Sequence, residues 1–282
     1  MKRVRTDLRD RRCLITGAAG GIGRAAAFAV AARGGRLLLT DVQAVPLEEA
    51  ASAIRSAGGS VVDCAPADVR SHSEVAGLGE RFGEVDVVMN VAGTSIWGPI
   101  ERLTHEHWRL MVDVNLMGPI HVMETFVPPM VAAGRGGHVV NVSSAAGLIG
   151  LPWHAAYSAA KFGLRGVSEV LRFDLERHGI GVTLVCPGAV ATPLVDTMQI
   201  VGVDRQHPAA RGMAEDFVKR AHTPEQVAEM IVRGVERGTY LVFTSNDIRF
   251  AFLLQRVFPP AYALAMRALN RRMVSVARKA AA

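Results

Sequence analysis

Cysteine is scarce in this chain of 282 residues, which contains only three. Cys13, Cys64 and Cys186 are widely scattered, and each lies in an apolar run. This pattern argues against a disulfide framework and indicates small buried side chains in a reducing compartment. The nine histidines have no paired spacing with acids or cysteines, so we expect no metal site.

Long apolar runs are also absent. A membrane-spanning helix needs about 20 consecutive apolar residues. The nearest candidate, 250–269, is interrupted by Arg256, Arg267 and the pair Pro259 and Pro260. Glycines break the apolar stretch that follows the basic N-terminus, so no signal peptide is expected. The sequence therefore predicts a cytoplasmic protein.

The excess of basic residues is small and lies mainly at the two ends of the chain, with 32 Lys and Arg against 26 Asp and Glu. Aromatic residues make up 6% and do not interleave with a basic patch, so nucleic acid is not an expected partner. Half of the residues are hydrophobic, which suits one large core. Solvated ends are expected, with weak attraction to an anionic membrane surface as the alternative.

Short apolar runs alternate with helix-compatible stretches along most of the chain. The runs are rich in Val, Leu and Ile without polar alternation, as is typical of parallel strands buried on both faces. The alternation predicts one α/β domain with a doubly wound parallel sheet. The predicted strands are 13–15, 36–40, 85–89, 138–142, 182–185 and 240–243, and the predicted helices are 23–33, 46–57, 73–82, 106–131, 155–178 and 224–237.

A glycine-rich turn, 16–23, follows the first predicted strand and leads directly into a helix. Glycines here let the backbone approach a pyrophosphate, and the helix N-terminus supplies unpaired N–H groups. Asp41, at the end of the second strand, is placed to accept hydrogen bonds from an adenosine ribose and to repel a 2′-phosphate. No basic residue follows directly, so NAD is favoured over NADP. The alternative for Asp41 is to cap the next helix.

Tyr157 and Lys161 lie four residues apart in a predicted helix, so their side chains share one helical face. A free tyrosine has a pKa near 10, and a neighbouring ammonium lowers it by favouring the phenolate. The pair suits proton transfer at neutral pH. Tyrosine and lysine at this spacing are also common without any function.

In order and spacing, these motifs resemble those of the short-chain dehydrogenase/reductase family from about residue 12 to 243. The family's Thr-Gly-x-x-x-Gly-x-Gly is found at 16–23, its Tyr-x-x-x-Lys at 157–161 and its Pro-Gly-x-x-x-Thr at 187–192. The resemblance implies a Rossmann-like sheet of about seven parallel strands, order 3-2-1-4-5-6-7, with helices on both faces. It also implies a homodimer or homotetramer.

The catalytic roles are likewise implied by the resemblance. Tyr157 would exchange a proton with the substrate oxygen while hydride moves between the substrate and the nicotinamide ring. Ser144, chosen over Ser143 by its distance before the tyrosine, would stabilise charge on that oxygen. Lys161 would lower the pKa of Tyr157 and hold the nicotinamide ribose, and Asn115 would help to place a water.

The resemblance also assigns a cofactor-binding set. The pair Asp68 and Val69 would meet the adenine, and Thr192 would bind the carboxamide. The family's Asn-Asn-Ala-Gly reads Asn-Val-Ala-Gly at 90–93, and we expect Val91 to have only a local effect on packing. The assigned residues are Gly17, Ala19, Gly21, Ile22, Gly23, Asp41, Asp68, Val69, Asn90, Ala92, Gly93, Tyr157, Lys161, Pro187, Gly188, Val190 and Thr192.

Variable loops set the substrate in such a scaffold. The stretches 95–97, 145–153 and 189 onward are mainly apolar, which favours a hydrophobic secondary alcohol or ketone over a sugar. For His154 two positions are open, in the substrate pocket or at the helix start facing water, and the second is slightly favoured. The substrate-binding candidates are Ser144, Leu151, Trp153, His154, Tyr157, Leu194 and Met198.

The domain prediction is a dinucleotide-binding and catalytic domain over 1–244, with a lid loop at 189–217. The apolar and basic extension 245–282 has three possible positions: over the pocket, against another subunit or on a membrane surface. We expect it to pack on its own domain. The predicted function is an NAD(H)-dependent oxidoreductase. The alternatives are a catalytically idle NAD-binding regulator and a membrane-surface reductase of lipid- or steroid-type ketones.

Overall fold

A parallel sheet forms the centre of the computed structural model, which describes residues 3–192, 199–204, 206–219 and 221–280. The strands are β1 Arg12–Thr16, β2 Arg36–Asp41, β3 Ser60–Pro66, β4 Val87–Asn90, β5 Ile96–Trp97, β6 Gly137–Val142, β7 Ile180–Cys186, β8 Gln199–Ile200 and β9 Leu241–Phe243. Seven of them form one sheet in the order β3-β2-β1-β4-β6-β7-β9, while β5 and β8 pair separately. Without that short pair, the order is the predicted 3-2-1-4-5-6-7.

The central strands are buried because their side chains are nearly all apolar. Every residue of β4, β6 and β7 is buried. The edge strand β3 differs, since it is exposed at several positions and carries Asp63, which forms an ion pair with Arg81. Its mixed polarity explains why no apolar run marked it in the sequence.

Helices cover both faces of the sheet. They are α1 Gly21–Ala31, α2 Ala44–Ser56, α3 His72–Phe82, α4 His105–Val112, α5 Gly118–Ala133, α6 Ala155–Asp174, α7 Pro208–Lys219, α8 Pro224–Arg237, α9 Asn246–Val257 and α10 Pro259–Lys279. One apolar cluster joins the sheet to α1, α2 and α8, and a second joins the opposite face to α3, α5 and α6. The doubly wound fold is therefore confirmed.

The predicted helix 106–131 is helical throughout, but it is not a regular α-helix over its whole length. It is divided by a π-helical turn, Asp113–Met117, between α4 and α5. Pro119, at the start of α5, has no N–H to donate to a carbonyl one turn earlier, so a regular helix loses a hydrogen bond here. The irregular turn lies beside the candidate active site.

The C-terminal helices α9 and α10 contact the main domain. Ile248 is buried in a cluster with Leu184 and Cys186 of β7. The Tyr262 hydroxyl donates a 2.9 Å hydrogen bond to the Gly150 carbonyl. Among the described residues, no helix combines the length and apolarity needed to cross a bilayer.

Candidate active site

A cavity of about 1000 Å³ opens where several sheet strands end. Its walls include segments that directly follow β4, β6 and β7, represented by Val91, Ser143 and Pro187. Ligands of open α/β sheets bind in this position, because the chain crosses there to helices on opposite faces. The cavity also contains the predicted catalytic residues Asn115, Ser144, Tyr157 and Lys161.

The glycine turn fits closely against the segment that follows β4. Gly17 has a positive φ of 70°, and a Cβ there would lie 2.8 Å from the Ala92 backbone. The Thr16 hydroxyl accepts hydrogen bonds from the N–H groups of Val91 and Ala92, at 3.0 and 3.1 Å. These contacts join the turn to one wall of the cavity, where Ile22 is also exposed to the cavity.

Asp41 is fixed beside the glycine turn. One carboxylate oxygen accepts a hydrogen bond from the Ala19 N–H at 3.1 Å, and the other accepts one from the Gln43 N–H at 3.0 Å. The second contact precedes α2, whose N-cap is Gln43 and has no side-chain cap, so Asp41 does not cap that helix. The adjacent side chain, Val42, is 64% exposed and uncharged.

The predicted adenine pair, Asp68 and Val69, follows β3. The Arg70 guanidinium donates hydrogen bonds to the Asp68 carboxylate, and this contact holds the pKa of Asp68 below the usual range of a carboxyl group. Val69 is buried, and its carbonyl accepts a 2.9 Å hydrogen bond from His121. Its side chain leaves no space for a Cβ on Gly118. Val69 therefore belongs to the core, and Asp68 is the more accessible member of the pair.

Asn90 and Ala92 do not line the cavity, whereas Val91 and Gly93 do. The buried Asn90 amide donates to the Asn141 side chain at 2.8 Å, and Asn141 donates to the Ser168 hydroxyl at 2.9 Å. This chain of hydrogen bonds connects β4, β6 and α6 below the cavity. Val91, which replaces the second asparagine of the family motif, packs against the apolar cluster on the α1 side.

Segment 187–192 forms another wall of the cavity. The Pro187 carbonyl accepts a 2.7 Å hydrogen bond from the Ala145 N–H, and the Gly188 N–H donates to the Thr244 hydroxyl at 3.2 Å. Further along, two backbone hydrogen bonds join 189–191 to His222. Pro187, Gly188, Val190 and Thr192 all line the cavity. Leu194 and Met198 lie outside the described residues.

Ser144 and Tyr157 both line the cavity, and the influence of the Ser144 hydroxyl on the phenol favours the phenolate form of Tyr157. The neighbouring Ser143 has another role, since its hydroxyl donates to the Lys161 carbonyl at 3.0 Å. Lys161 is 4% exposed, and its Nζ donates to the Val142 carbonyl at 2.9 Å. The same Nζ lies 5.8 Å from the centre of the Tyr157 ring.

From the sequence, Lys161 is expected to lower the pKa of Tyr157, and the structure gives a different result. Burial raises the pKa of Tyr157 to about 12, against the opposing effect of the Ser144 hydroxyl. Burial also lowers the pKa of Lys161 to about 8, so the ammonium form still predominates at neutral pH. In this arrangement the chain alone does not lower the tyrosine pKa, because desolvation of the phenolate outweighs the nearby polar groups.

Asn115 lies in the π-helical turn and is completely buried. Its amide donates to the carbonyls of Thr94 and Met111 at 3.0 and 3.1 Å, and its oxygen accepts from the Thr94 N–H at 3.2 Å. A Cβ on Gly93 would lie 3.0 Å from that oxygen and 3.7 Å from Lys161 Nζ. The absence of a side chain at Gly93 thus leaves room for the Asn115 side chain. Irregular π-turns often occur at functional sites.

His154 lies in the cavity wall, so the slightly favoured expectation that it faces water is wrong. It is 7% exposed, and its ring centre lies 4.2 Å from that of Trp97. Its Nδ1–H donates to the Pro152 carbonyl at 2.6 Å, and burial lowers the imidazole pKa to about 4. The ring is therefore neutral near pH 7.

Of the other substrate candidates, Leu151 lines the cavity and Trp153 does not. Trp153 has a positive φ of 67°, and its carbonyl accepts a 2.9 Å hydrogen bond from the Gly98 N–H. Trp97, within the predicted stretch 95–97, supplies the aromatic wall instead.

Part of the cavity wall was not predicted from the sequence. It comes from His222, from Ser245 and α9, and from α10, and it includes charged groups as well as apolar ones. No local motif marks these positions, since they reach the cavity only through tertiary packing. Gln206, Arg211 and Glu215 also line the cavity, but they lie within the predicted lid stretch 189–217. The additional residues are His222, Ser245, Asp247, Ile248, Ala251, Leu269, Arg272 and Met273.

Metal binding has no support in the described part of the chain, where no group of three or more His, Cys, Asp or Glu side chains is arranged to hold an ion.

Comparison with known proteins agrees with this geometry. Residues 11–200 match the family model for short chain dehydrogenases. SadH of Mycobacterium tuberculosis (strain H37Rv) is 33% identical over 259 residues, covering 88% of this chain and 91% of that protein. C alpha-dehydrogenase of Sphingobium sp. (strain SYK-6) is 32% identical over 262 residues, covering 86% and 83%.

A solved structure also resembles the fold. It is a short chain dehydrogenase/reductase from Burkholderia phymatum in complex with NAD, and it superposes with a TM-score of 0.80 at 27% identity. The match covers 89% of this chain and 94% of that one.

Proposed function

The chain belongs to the short-chain dehydrogenase family and is an NAD(P)-dependent oxidoreductase; we propose that it transfers hydride between NAD(H) and a hydrophobic secondary alcohol or ketone. The observation that carries this proposal is the single cavity whose wall brings together Ser144, Tyr157, Lys161 and Asn115. Two hydroxyl groups thus converge where a substrate oxygen can bind, next to a buried ammonium.

The residues present fit a nicotinamide dinucleotide. A Cβ at Gly17 or Gly23 would collide with neighbouring backbone, so the tight turn requires glycine at both positions. Such a turn would bring a pyrophosphate to the N-terminus of α1. The Asp41 carboxylate lies beside this turn and accepts a hydrogen bond from the Ala19 N–H. Asp41 also follows the glycine motif by about the number of residues expected for a ribose-binding acid. Its charge disfavours a 2′-phosphate, and this supports NAD over NADP.

Tyr157 acts as general acid in ketone reduction and as general base in alcohol oxidation. Ser144 donates a hydrogen bond to the substrate oxygen as negative charge develops there. Lys161, held by the Val142 carbonyl, places a positive charge on the tyrosine side of the cavity. A nicotinamide held in this cavity would supply or accept the hydride and, when oxidised, would add positive charge to the site.

The environment of Tyr157 sets the protonation state of its phenol, and each reaction direction needs a different state. The raised pKa keeps the phenol protonated at neutral pH, which suits proton donation during ketone reduction. Alcohol oxidation needs the phenolate, and added positive charge beside the ring stabilises that form. We therefore expect oxidation to have a more alkaline pH optimum than reduction.

The substrate proposal rests on the cavity walls near Tyr157. Apolar side chains dominate there, including Trp97, Ile149, Leu151 and Ile200. A pocket of this composition binds an apolar body and uses a few polar groups to orient the reacting oxygen. The cavity wall also includes charged residues from α7, α9 and α10, namely Arg211, Glu215, Asp247 and Arg272.

The proposed function is tested by following absorbance of the reduced nicotinamide with a panel of aryl, alicyclic and long-chain secondary alcohols and their ketones. We expect turnover with NAD(H), preference for bulky apolar members and little activity with sugars. A panel without turnover, despite measured NAD binding, would instead support a catalytically idle regulator.

A further inference from the structure

The outer face of the α9–α10 hairpin exposes large apolar side chains. Their exposed fractions range from 56% for Leu253 to 72% for Val257. We call these five residues the hairpin face: Phe250, Leu253, Val257, Phe258 and Leu264.

The hairpin face results from a helix with two different sides. In α9, Phe250, Leu253 and Val257 are spaced by three and four residues and therefore point the same way. The opposite side packs on the domain through the buried Ile248 and through Phe252, whose ring centre lies 6.0 Å from that of Phe243. Internal packing thus accounts for one side of the helix and leaves the apolar outer side in contact with solvent.

Four exposed arginines lie on the same two helices as the hairpin face. Arg249 and Arg256 lie on α9, and Arg267 and Arg271 on α10, and all four are exposed. Asp247 is the single acidic residue from 245 to the end of the sequence. Within the described residues, none of the four arginines forms an ion pair, although Arg256 stacks on Phe252 at 4.4 Å. The hairpin therefore combines exposed apolar groups with uncompensated positive charge.

We propose that the hairpin face docks on the surface of an anionic phospholipid bilayer. Phe250, Leu253 and Val257 would enter the boundary between headgroups and acyl chains, and the arginines would contact the phosphates. This combination of an apolar stripe with flanking basic residues is what a helix lying in a membrane interface requires. Each basic residue near an anionic leaflet adds to the attraction.

A second copy of the chain fits this surface less well. A two-fold contact brings the same patch of each copy together, so the arginines of one copy would approach those of the other. Like charges facing each other across an interface oppose association, and the hairpin provides only Asp247 to compensate them. An anionic bilayer offers the complementary charge for all four arginines.

The position of α10 connects this surface with the active site. Leu269 and Met273 of α10 line the cavity, and the Tyr262 hydroxyl bonds to Gly150 in the loop before Leu151. A bilayer against the hairpin face would therefore lie next to the cavity wall. This arrangement suits the apolar substrates of the proposed function, but docking itself does not require turnover, so the two are tested separately.

The test is co-sedimentation of the full chain with vesicles of phosphatidylcholine alone or with about one quarter phosphatidylglycerol. The apolar variant is L253S/V257S, and its matched control is I100S/V45S. The control removes side chains of similar size that are 63% and 70% exposed elsewhere on the protein. The charge variant is R249Q/R256Q.

The charge control is R177Q/R237Q, which removes two exposed arginines outside the hairpin. All five proteins are also compared by thermal unfolding and by size-exclusion chromatography with light scattering. These measurements separate a docking defect from misfolding or a changed oligomeric state.

We expect wild type and both controls to sediment with the anionic vesicles and hardly at all with the neutral ones. Each hairpin variant should bind on the order of tenfold more weakly, while its unfolding temperature and oligomeric state remain unchanged.

Absence of wild-type binding to anionic vesicles at low salt would overturn the proposal. An equal loss of vesicle binding in the control variants would also overturn the proposal, because binding would then not depend on the hairpin face. A smaller oligomer for L253S/V257S, with no vesicle binding by wild type, would assign the face to a second copy.

Discussion

The carbonyl oxygen of Gly17 occupies the space in which a side chain at Gly23 would lie. This contact holds the end of β1 against the start of α1. It is the reason why the third glycine of the motif has a structural requirement of its own, separate from the positive φ of Gly17. The same contact brings the helix N-terminus toward the predicted pyrophosphate position.

Gly23→Ala should therefore lower both stability and NAD affinity. Overpacking of this kind costs about 1–3 kcal/mol, which urea unfolding will measure. Gly77→Ala is the matched control, since Gly77 is exposed in α3 and a Cβ there meets nothing within 4 Å. That change should raise stability by about 0.5–1 kcal/mol through helix propensity. Equal effects of the two substitutions would contradict the role of the Gly17 contact.

Asp41→Asn should change the choice of cofactor. The substitution keeps the size of the side chain but removes the charge that disfavours a 2′-phosphate. We expect NADH to bind about tenfold more weakly, in keeping with the loss of hydrogen bonds to a charged group. The ratio of NADH to NADPH affinity, measured by fluorescence quenching, should fall. Asp174→Asn at the end of α6 is the control, and an unchanged ratio in Asp41→Asn would contradict the assignment.

Motifs with fixed local spacing could be predicted from the sequence. The glycine turn and the Tyr157 and Lys161 pair depend on contacts within one strand-turn-helix unit or one helix. Buried strands were also predictable, because apolar runs mark them regardless of their neighbours. These features together were enough for the fold and for the position of Tyr157.

Features set by tertiary packing were not predictable. The π-turn that carries Asn115 lies inside an apolar pattern that is compatible with a continuous helix, and Pro119 was its single local signal. Leu269 and Met273 reach the cavity only because α10 folds back across the domain. The His154 ring is buried by Trp97, which lies more than fifty residues earlier in the chain.

Acid should weaken the fold through its buried histidines. Burial lowers the pKa of His138 to about 3 and that of His154 to about 4, below the ordinary value of 6.5. As the pH falls from 7 toward 5, the unfolded chain binds protons that the folded chain excludes, so stability decreases. Each histidine should contribute a loss of about 2 kcal/mol over this interval.

The variant His138→Gln isolates this effect, because His138 is fully buried between Thr6 and Thr183. Its stability at pH 7 will be lower, but its decrease between pH 7 and pH 5 should be smaller than that of wild type by about 2 kcal/mol. His105→Gln, at an exposed position, should leave the decrease unchanged. Parallel pH curves for wild type and His138→Gln would refute the prediction.

The most direct test of the account is turnover by Tyr157→Phe, measured with a substrate found for wild type, together with NADH binding by the same variant. Removing one hydroxyl from the site should reduce kcat by about 10²–10⁴ and leave NADH affinity within about twofold. Ser144→Ala should show a smaller loss, because it removes charge stabilisation but keeps the proton donor. Full turnover by Tyr157→Phe with intact NADH binding would contradict the assignment of Tyr157 as the general acid and base.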